Sequence, residues 1–286
     1  MTWFYLTLLS ALFWSAVDIL SKWISKDMSD LTSLWIRFVY SIPFFSLVWL
    51  FIDTPEVSTK FWLILLILYP MEILVWMLYL KAIRISPLST TIPFLGLTPV
   101  FLLIVPWILL GEQVSFVGGL GVVTIAAGIY MLNLNQQEAG ILEPFKAVRR
   151  EKGSLLMIAV AIIFSVLSTV GKMAIIESSP MFFAGVYYPV LGVLLTPYVL
   201  SNSESRKEIK SHPWKSLLVG VAFAMMALAH FYAIEIAKVA YMIAVKRTSL
   251  IYSTIMGYLF FREKNIRQRL IGVIIIVVGV FLIASD

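Results

Sequence analysis

Two adjacent basic residues, Lys246 and Arg247, lie inside an apolar segment long enough to cross a membrane. A charge at that depth is costly unless it faces protein or water, so such residues are candidates for function. Neighbours on a helix point about 100° apart, and the two side chains cannot both reach the same membrane surface. At least one is expected to face a cavity and bind a substrate carboxylate or phosphate. The alternative is pairing with lipid headgroups or with a helix-end carboxylate such as Glu235.

Other polar and aromatic side chains of the apolar segments could contribute to the same site. Embedded cations outnumber the embedded carboxylates, and this surplus favours an anionic partner. For Lys22, the lysine nearest a helix end, the alternative is snorkelling to the membrane surface. For the aromatic residues the alternative is packing, and for Thr98 it is a hydrogen bond from the hydroxyl to the backbone. The predicted substrate-binding residues are Lys246, Arg247, Arg37, Lys22, Lys172, Trp14, Tyr79 and Thr98.

Three titratable residues are candidates for proton coupling. Glu72 lies near the middle of an apolar segment, just after Pro70, where a carboxylate tends to be protonated or paired. Asp18 lies four residues before Lys22, so the two could pair on one helix face. His230 titrates near neutrality when unperturbed and could share protons with Glu72. The structural alternatives are a salt bridge from Glu72 to Arg37 or Lys246, an Asp18–Lys22 pair and a packed core histidine.

Prolines interrupt one apolar segment, 87–110. A proline removes a backbone donor and breaks or kinks a helix, and the freed carbonyls are tolerated in a membrane only beside protein or a cavity. This segment is therefore expected to form a wall or gate of the pathway, with kinks at Pro93 and Pro99. The segment 239–261, its counterpart in the second half, contains no proline.

The elements that must position these residues are membrane helices. The sequence is 60% apolar and 13% charged, which excludes a soluble globular domain. Apolar stretches of the length needed to cross a bilayer predict ten transmembrane helices in an all-α integral membrane protein. The predicted spans are about 3–24, 31–52, 60–83, 87–110, 115–133, 153–175, 180–201, 213–236, 239–261 and 266–284.

The basic residues predict the orientation of those helices. Sixteen lysines and arginines fall in or beside the loops after predicted helices 1, 3, 5, 7 and 9, against three in the loops after helices 2, 4, 6 and 8. Cytoplasmic loops carry the excess of positive charge, so both termini are expected outside. The net charge of +6 is thereby explained without nucleic acid. The absence of cysteine excludes thiolate chemistry and sulfur-ligated metals.

The second half of the chain repeats the pattern of the first. A shift of 150 residues aligns Lys22 with Lys172, and after a one-residue slip Glu112 aligns with Glu263. Five helices per half put the second copy into the membrane from the opposite face, so the repeats are inverted, and such repeats usually meet around a midplane cavity. The predicted units are a first repeat, 1–134, a cytoplasmic linker, 135–152, and a second repeat, 153–286. Glu112 and Glu263, at matching turns of the two halves, are expected to cap the following helix or to tie loops together.

The sequence resembles the drug/metabolite transporter superfamily, and within it the ten-helix EamA-type transporters. The motifs that carry the likeness are Lys81-Ala82-Ile83, Pro87-Leu88-Ser89, Thr98-Pro99-Val100-Phe101 and Leu110-Gly111-Glu112, echoed by Lys246-Arg247-Thr248-Ser249 and by Gly257-Tyr258-Leu259-Phe260 with Glu263. The resemblance implies two inverted halves around a central pathway that exports or exchanges small metabolites, often with protons. A multi-pass protein of a bacterial or archaeal inner membrane is expected.

Several functions remain open at this point. The first is secondary transport of a small carboxylate- or phosphate-bearing metabolite, with no cofactor and with a monomer sufficient, although a homodimer is possible. A flippase for a lipid-linked headgroup is the alternative within the same fold. An intramembrane enzyme is disfavoured because HExxH and GxSxG motifs are absent and only two histidines are present. The absence of a GxxxxGK[ST] motif disfavours pumping driven by ATP hydrolysis in this chain. A scaffold or sensor would not need the buried cations.

Overall fold

Helices form all the regular structure of the described residues, which in this computed structural model are 1–24, 29–49, 55–86, 91–133, 151–261 and 266–286. The first half contains α1 (Thr2–Ile24), α2 (Asp30–Val39), α3 (Ile42–Trp49), α4 (Thr59–Ile85), a 3-10 helix (Ile92–Leu97), α5 (Thr98–Phe101), α6 (Val105–Leu110) and α7 (Phe116–Asn133). The second half contains α8 (Lys152–Ile176), α9 (Pro180–Ser201), α10 (Ser203–Ser211), α11 (Pro213–Ile236), α12 (Val239–Lys246), α13 (Ser249–Phe261) and α14 (Ile266–Ala284). The predicted linker lies mostly outside the described residues, as does Glu263.

Seven helical stretches of the described residues are long and apolar enough to cross a membrane. They are Thr2–Ser21, Thr59–Ile85, Ile92–Leu110, Phe116–Asn133, Lys152–Ile176, Pro180–Ser201 and Pro213–Ile236, and shorter apolar helices cover Leu31–Leu47 and Leu270–Ala284. Large apolar side chains lie on the outer surface, among them Leu66 and Phe281 at 70% and 75% exposure. Such a surface suits contact with lipid, and the protein is an all-helical membrane protein.

Two interruptions follow from proline chemistry. The segment 91–110 is divided into the 3-10 helix, α5 and α6, each of which has a proline in its first turn. This is the interruption that the prolines predict. A second one, at Tyr40 and Ser41, separates α2 from α3 just before Pro43. Because Pro43 has no N–H for the Val39 carbonyl, the helix cannot continue unchanged, and the Ser41 hydroxyl donates to the Phe38 carbonyl at 2.7 Å.

A third interruption has no proline. The uninterrupted helix predicted over 239–261 ends at Lys246, and α13 begins at Ser249. Between them the backbone N–H groups of Arg247 and Thr248 donate to carbonyls three residues back, Ala244 and Val245, each at 3.0 Å. This tighter hydrogen-bond pattern changes the direction of the chain at the two adjacent cations, Lys246 and Arg247. The prediction of a continuous helix is therefore wrong at this point.

The two halves pack against each other through most of their long helices. α1 lies against α11, α4 against α8, and α2 against α9. The α7–α14 pair is closely packed, because a Cβ on Gly121 would lie 2.8 Å from the Gly279 carbonyl oxygen, and one on Gly128 2.9 Å from that of Gly272. Small residues at these positions let the two helix backbones approach closely. The space between the halves is where a pathway can lie.

Candidate functional site

A cavity of about 570 Å³ lies between the two halves. Its wall includes side chains from α1, α2 and α4 of the first half and from α8, α9, α11 and α12 of the second. The structure brings together on this wall ten of the residues singled out from the sequence: Trp14, Asp18, Arg37, Glu72, Tyr79, Thr98, Lys172, His230, Lys246 and Arg247. The side chain of Lys22 lies outside the described part of the structure. Charged groups from separate helices thus face one space.

Lys246 ends α12 and points across the cavity toward α1 and α11. Its Nζ lies 3.1 Å from Nδ1 of His230 and 3.3 Å from the sulfur of Met226. The same atom lies over the ring of Trp14, 4.7 Å from the ring centroid. The structure therefore pairs His230 with Lys246, whereas the sequence suggested proton sharing with Glu72. Within the described residues, Lys246 has no carboxylate at ion-pair distance.

Arg247 occupies the break between α12 and α13. Its Nε is buried without a hydrogen-bond acceptor, and its side chain forms no hydrogen bond or ion pair with the described residues. A guanidinium carries five N–H donors in a planar fork and stays charged at physiological pH. Leaving these donors without acceptors is costly away from water. The arrangement is suited to an anion that enters the cavity.

Arg37 and Asp18 form an ion pair on the same wall. Nη2 of Arg37 lies 3.5 Å from Oδ1 of Asp18 and donates to the hydroxyl of Ser21 at 3.3 Å. The Asp18 side chain is 41% exposed, whereas that of Arg37 is 17% exposed. The sequence also allowed a pair of Asp18 with Lys22, and the ion-pair partner of Asp18 in the described structure is Arg37. Nε of Arg37 is buried without an acceptor.

Glu72 accepts hydrogen bonds from two aromatic residues. The Tyr187 hydroxyl donates to Oε2 at 2.9 Å, and Nε1 of Trp76 donates to Oε1 at 3.2 Å. The ring of Tyr187 stacks on Phe183, with 4.8 Å between the centroids. The suggested salt bridge from Glu72 to Arg37 or Lys246 is not among the ion pairs of the described residues. Neutral donors from α4 and α9 hold this carboxylate instead.

Lys172 lines the cavity but is held by structural partners. Its Nζ lies 2.5 Å from Oε1 of Glu112 and 2.5 Å from the carbonyl oxygen of Ala237. The other Glu112 oxygen accepts the backbone N–H of Val239 at 2.8 Å, at the start of α12. Glu112 therefore ties these elements together, but the helix start that it caps is that of α12 and not that of the helix that follows it in the sequence. The contacts of Lys172 show it tying the halves together at this edge of the cavity.

A second carboxylate lies beyond this edge, after the end of α8. Glu177 accepts from Nζ of Lys60 at 2.5 Å and from the hydroxyl of Ser58 at 2.9 Å. These hydrogen bonds favour the ionised form and lower the pKa of the Glu177 carboxyl. Because Ser58 and Lys60 lie at the start of α4, this cluster also joins the two halves.

The remaining predicted residues have different positions. Tyr79 packs edge-on against Trp76, with 5.7 Å between the centroids, and faces the cavity. Thr98 starts α5, and its buried hydroxyl has no partner among the described residues. Pro93 and Pro99 are buried within the interrupted segment and are not part of the cavity wall.

Sequence reasoning missed Thr248. Its hydroxyl, like that of Thr98, is buried and without a partner in the described structure. The repeat could have pointed to it, because the shift of 150 residues that relates the two halves also relates Thr98 to Thr248. Both threonines lie at helix interruptions, one in each half. For metals, the described residues contain no cluster of three His, Asp or Glu side chains that could hold an ion.

Comparison with known proteins gives matches at the level of family and fold. The family model described as "EamA-like transporter family" matches residues 1–134 and matches again over residues 151–285. A solved structure described only as "Crystal structure of protein" superposes on the chain with a TM-score of 0.77 at 15% sequence identity. That match covers 98% of this chain and 96% of the other, and at this identity it shows the fold alone. No curated protein matches the chain.

Proposed function

This chain belongs to the EamA-like transporter family, within the drug/metabolite transporter superfamily, and on that premise we propose that it moves a small carboxylate- or phosphate-bearing solute across the membrane. The solute binds in the cavity between the halves, which opens alternately to either side. Export or exchange of a metabolite such as an amino acid or organic acid is the form of transport that the resemblance favours. The family makes the chain a membrane transporter, and the site supplies the proposed substrate class.

The observation that carries this proposal is the guanidinium of Arg247. It is a permanent cation with a buried Nε that has no acceptor in the described structure, and it lines a cavity beside a second cation, Lys246. A carboxylate or phosphate accepts paired hydrogen bonds from a guanidinium fork. Binding such an anion would satisfy donors that the protein leaves open and offset the adjacent positive charges. Arg37, with its own open Nε, supports the same polarity.

We also propose ten membrane crossings arranged as two inverted repeats. The count follows if three pairs or groups of helices each form one interrupted crossing: α2 with α3, the 3-10 helix with α5 and α6, and α12 with α13. The charge distribution supports termini on the outer side of a bacterial or archaeal inner membrane. Interrupted crossings line the cavity at Thr98 and Arg247, where freed backbone groups are best tolerated.

Proton coupling is part of the proposal. Glu72, Asp18 and His230 all line the cavity and can change protonation state. The partners differ: Glu72 has two neutral donors, Asp18 has the Arg37 cation, and His230 has the Lys246 amine. Protonation of one of these groups on one side of the membrane and release on the other would drive the solute against its gradient.

The experiment that tests this function is exchange of labelled solutes by purified protein in liposomes. Amino acids, organic acids and sugar phosphates are screened with and without a pH gradient, in wild-type protein and in R247A. Loss of one charged hydrogen-bonding group costs about 1.5–3 kcal/mol, so R247A is expected to lower the rate at limiting substrate by about tenfold to a hundredfold. The Lys246→Ala, Arg247→Ala double variant should abolish exchange.

The matched control is R84A, the same change at an exposed arginine outside the cavity, at the end of α4. R84A is expected to keep wild-type exchange. Exchange by folded R247A that equals the wild-type rate would refute the anion site. Absence of flux for every soluble compound, from folded wild-type protein, would favour movement of a lipid-linked headgroup and would be tested with labelled lipid in the same vesicles.

A further inference from the structure

Lys172 and Lys246 both line the cavity, but their partners differ in charge. Lys172 faces the carboxylate of Glu112. Nζ of Lys246 faces Nδ1 of the His230 imidazole at 3.1 Å and the sulfur of Met226 at 3.3 Å. The ring face of Trp14, whose centroid lies 4.7 Å away, is a contact that favours the charged form of Lys246. An ammonium needs a stronger counter-charge than these groups provide when it is removed from water.

The charged groups around Lys246 do not supply that counter-charge in full. From α1, Asp18 acts on it through space, but the carboxylate is also bound to Arg37 of α2. From the adjoining turn, Arg247 adds a second positive charge. From α11 the facing group is His230, and on α8 the lysine is already engaged by Glu112. Among the described residues, Lys246 thus has near it one negative charge, which is shared with Arg37, and several positive charges, and a bound anion would offset the excess.

The His230 contact suits a lysine that changes protonation state. When Lys246 is an ammonium, it donates to the lone pair on Nδ1, and the imidazole carries its proton on Nε2. When Lys246 is a neutral amine, the other tautomer donates from Nδ1 to the amine. The same pair of atoms, 3.1 Å apart, is hydrogen-bonded in both states. Gain or loss of a proton by Lys246 therefore keeps the hydrogen bond between these two atoms.

We propose that Lys246, with His230 as its hydrogen-bond partner, carries the coupled proton, binding it together with the anionic substrate and releasing it when the anion leaves. The proton is exchanged with water: the amine and a hydronium ion give the ammonium and water, and release is the reverse. A monovalent anion then crosses with one proton and no net charge. The inference deepens the proposed function, on which it rests, by assigning to a lysine the role for which the sequence favoured Glu72 or Asp18.

The measurement is the number of protons taken up per anion bound by the full-length protein in detergent. Binding of sulfate and of lactate is measured by titration calorimetry in two buffers of different ionisation enthalpy. The range is about pH 6 to pH 9, where neither probe titrates. The decisive variant is K246R, which keeps a cation that cannot lose its proton. The matched control is K60R, the same change at an exposed lysine outside the cavity.

Wild type and K60R are expected to take up close to one proton per anion, and the affinity should fall by about tenfold per pH unit where Lys246 loses its proton. K246R should bind with no proton uptake and with an affinity independent of pH. In liposomes, K246R should exchange the solute found by the flux screen, while a pH gradient no longer drives its accumulation. These results together would assign the coupled proton to Lys246.

Three outcomes would overturn the inference. Proton uptake that persists in K246R and disappears in E72Q would assign the proton to Glu72. Anion binding without proton uptake in wild type would remove coupling through this pair but leave an anion transporter. No binding of either anion would remove the cation site, and the flux screen would then show whether a transporter of another solute class remains or the proposed function fails as well.

Discussion

The cavity has two cationic regions, and they differ in whether the positive charge already has a partner. In the first, Lys172 is bound by Glu112 and by the Ala237 carbonyl, and Glu112 also binds the start of α12. In the second, Lys246 contacts an imidazole and a thioether, and Arg247 makes no side-chain polar contact with the described residues. Both regions line one cavity, so burial alone does not distinguish them.

This difference distinguishes a cation with a structural role, Lys172, from cations available to bind a ligand, Lys246 and Arg247. A buried ion pair whose remaining atoms are hydrogen-bonded is complete without a substrate, and removing one partner leaves an uncompensated charge. A buried cation without a partner is destabilising until something anionic arrives. Substitutions in the two regions should therefore change stability in opposite directions.

The largest change in stability is expected from K172A. The substitution leaves the partly buried Glu112 carboxylate without its cation, which costs up to about 3–5 kcal/mol. The free energy of unfolding in detergent, followed by tryptophan fluorescence, should fall by this amount. The double variant K172M/E112Q, in which neither group is charged, should recover most of the loss. Stability of K172A equal to that of wild type would show that the pair contributes nothing.

R247M is expected to change the free energy of unfolding in the opposite direction. It replaces an unpaired cation by an apolar side chain of similar length, and such exchanges are neutral or stabilising by about 1–4 kcal/mol. The free energy of unfolding of the empty transporter should therefore stay constant or rise, while anion binding is lost. A clear destabilisation by R247M, measured beside R84M as the exposed control, would mean that Arg247 is a structural residue like Lys172.

D18N should change stability less, and it tests whether the Asp18–Arg37 pair is structural or belongs to the anion site. Removing the negative charge takes an ion-pair partner from Arg37, at 3.5 Å, and costs about 1 kcal/mol of stability. The same change removes a competitor of the substrate anion, so the affinity for sulfate or lactate should rise by a few-fold. A fall in anion affinity in folded D18N would show that Asp18 positions Arg37 for the substrate rather than competing with it.

The smallest effect is expected at Glu177, where the contact with Lys60 is exposed. Its lowered pKa means that the native state favours the carboxylate, so the stabilisation is present at neutral pH and is lost as the pH falls through the folded-state pKa. E177Q should thus melt slightly below wild type at neutral pH, and the two should converge in acid. A difference between their melting temperatures that grows on acidification would contradict this sign.

The sequence predicted the elements better than their interruptions. Apolar length located the membrane helices, and the prolines indicated the break in 91–110. The break at Arg247 and Thr248 has no local signal, because neither residue prevents a helix and the tertiary packing decides. Thr98, which is equivalent to Thr248 in the repeat and lies in the proline-interrupted segment, was the one sequence feature that indicated this break.

The composition of the site was predictable from embedded polarity, since an ionisable residue in an apolar segment has few acceptable positions. The interaction partners of these residues were not predictable from the sequence. Glu112 lies 60 residues from Lys172, and His230 lies 16 residues from Lys246 on another helix. Such pairings depend on how helices are arranged side by side, which a single sequence does not specify. The structure was therefore needed to show which buried cation already has an anionic partner and which does not.

The glycine contacts between α7 and α14 restrict how the two halves can move. A Cβ on Gly279 would lie 2.7 Å from the Gly121 carbonyl oxygen, and one on Gly272 would lie 2.8 Å from that of Gly128. Backbones this close cannot slide past each other without collision, and the two helices belong to opposite halves. We expect a rearrangement that opens the cavity to keep this seam in place and to move the interrupted helices. Cross-linking the seam should leave turnover intact, whereas cross-linking α5 to α12 should arrest it.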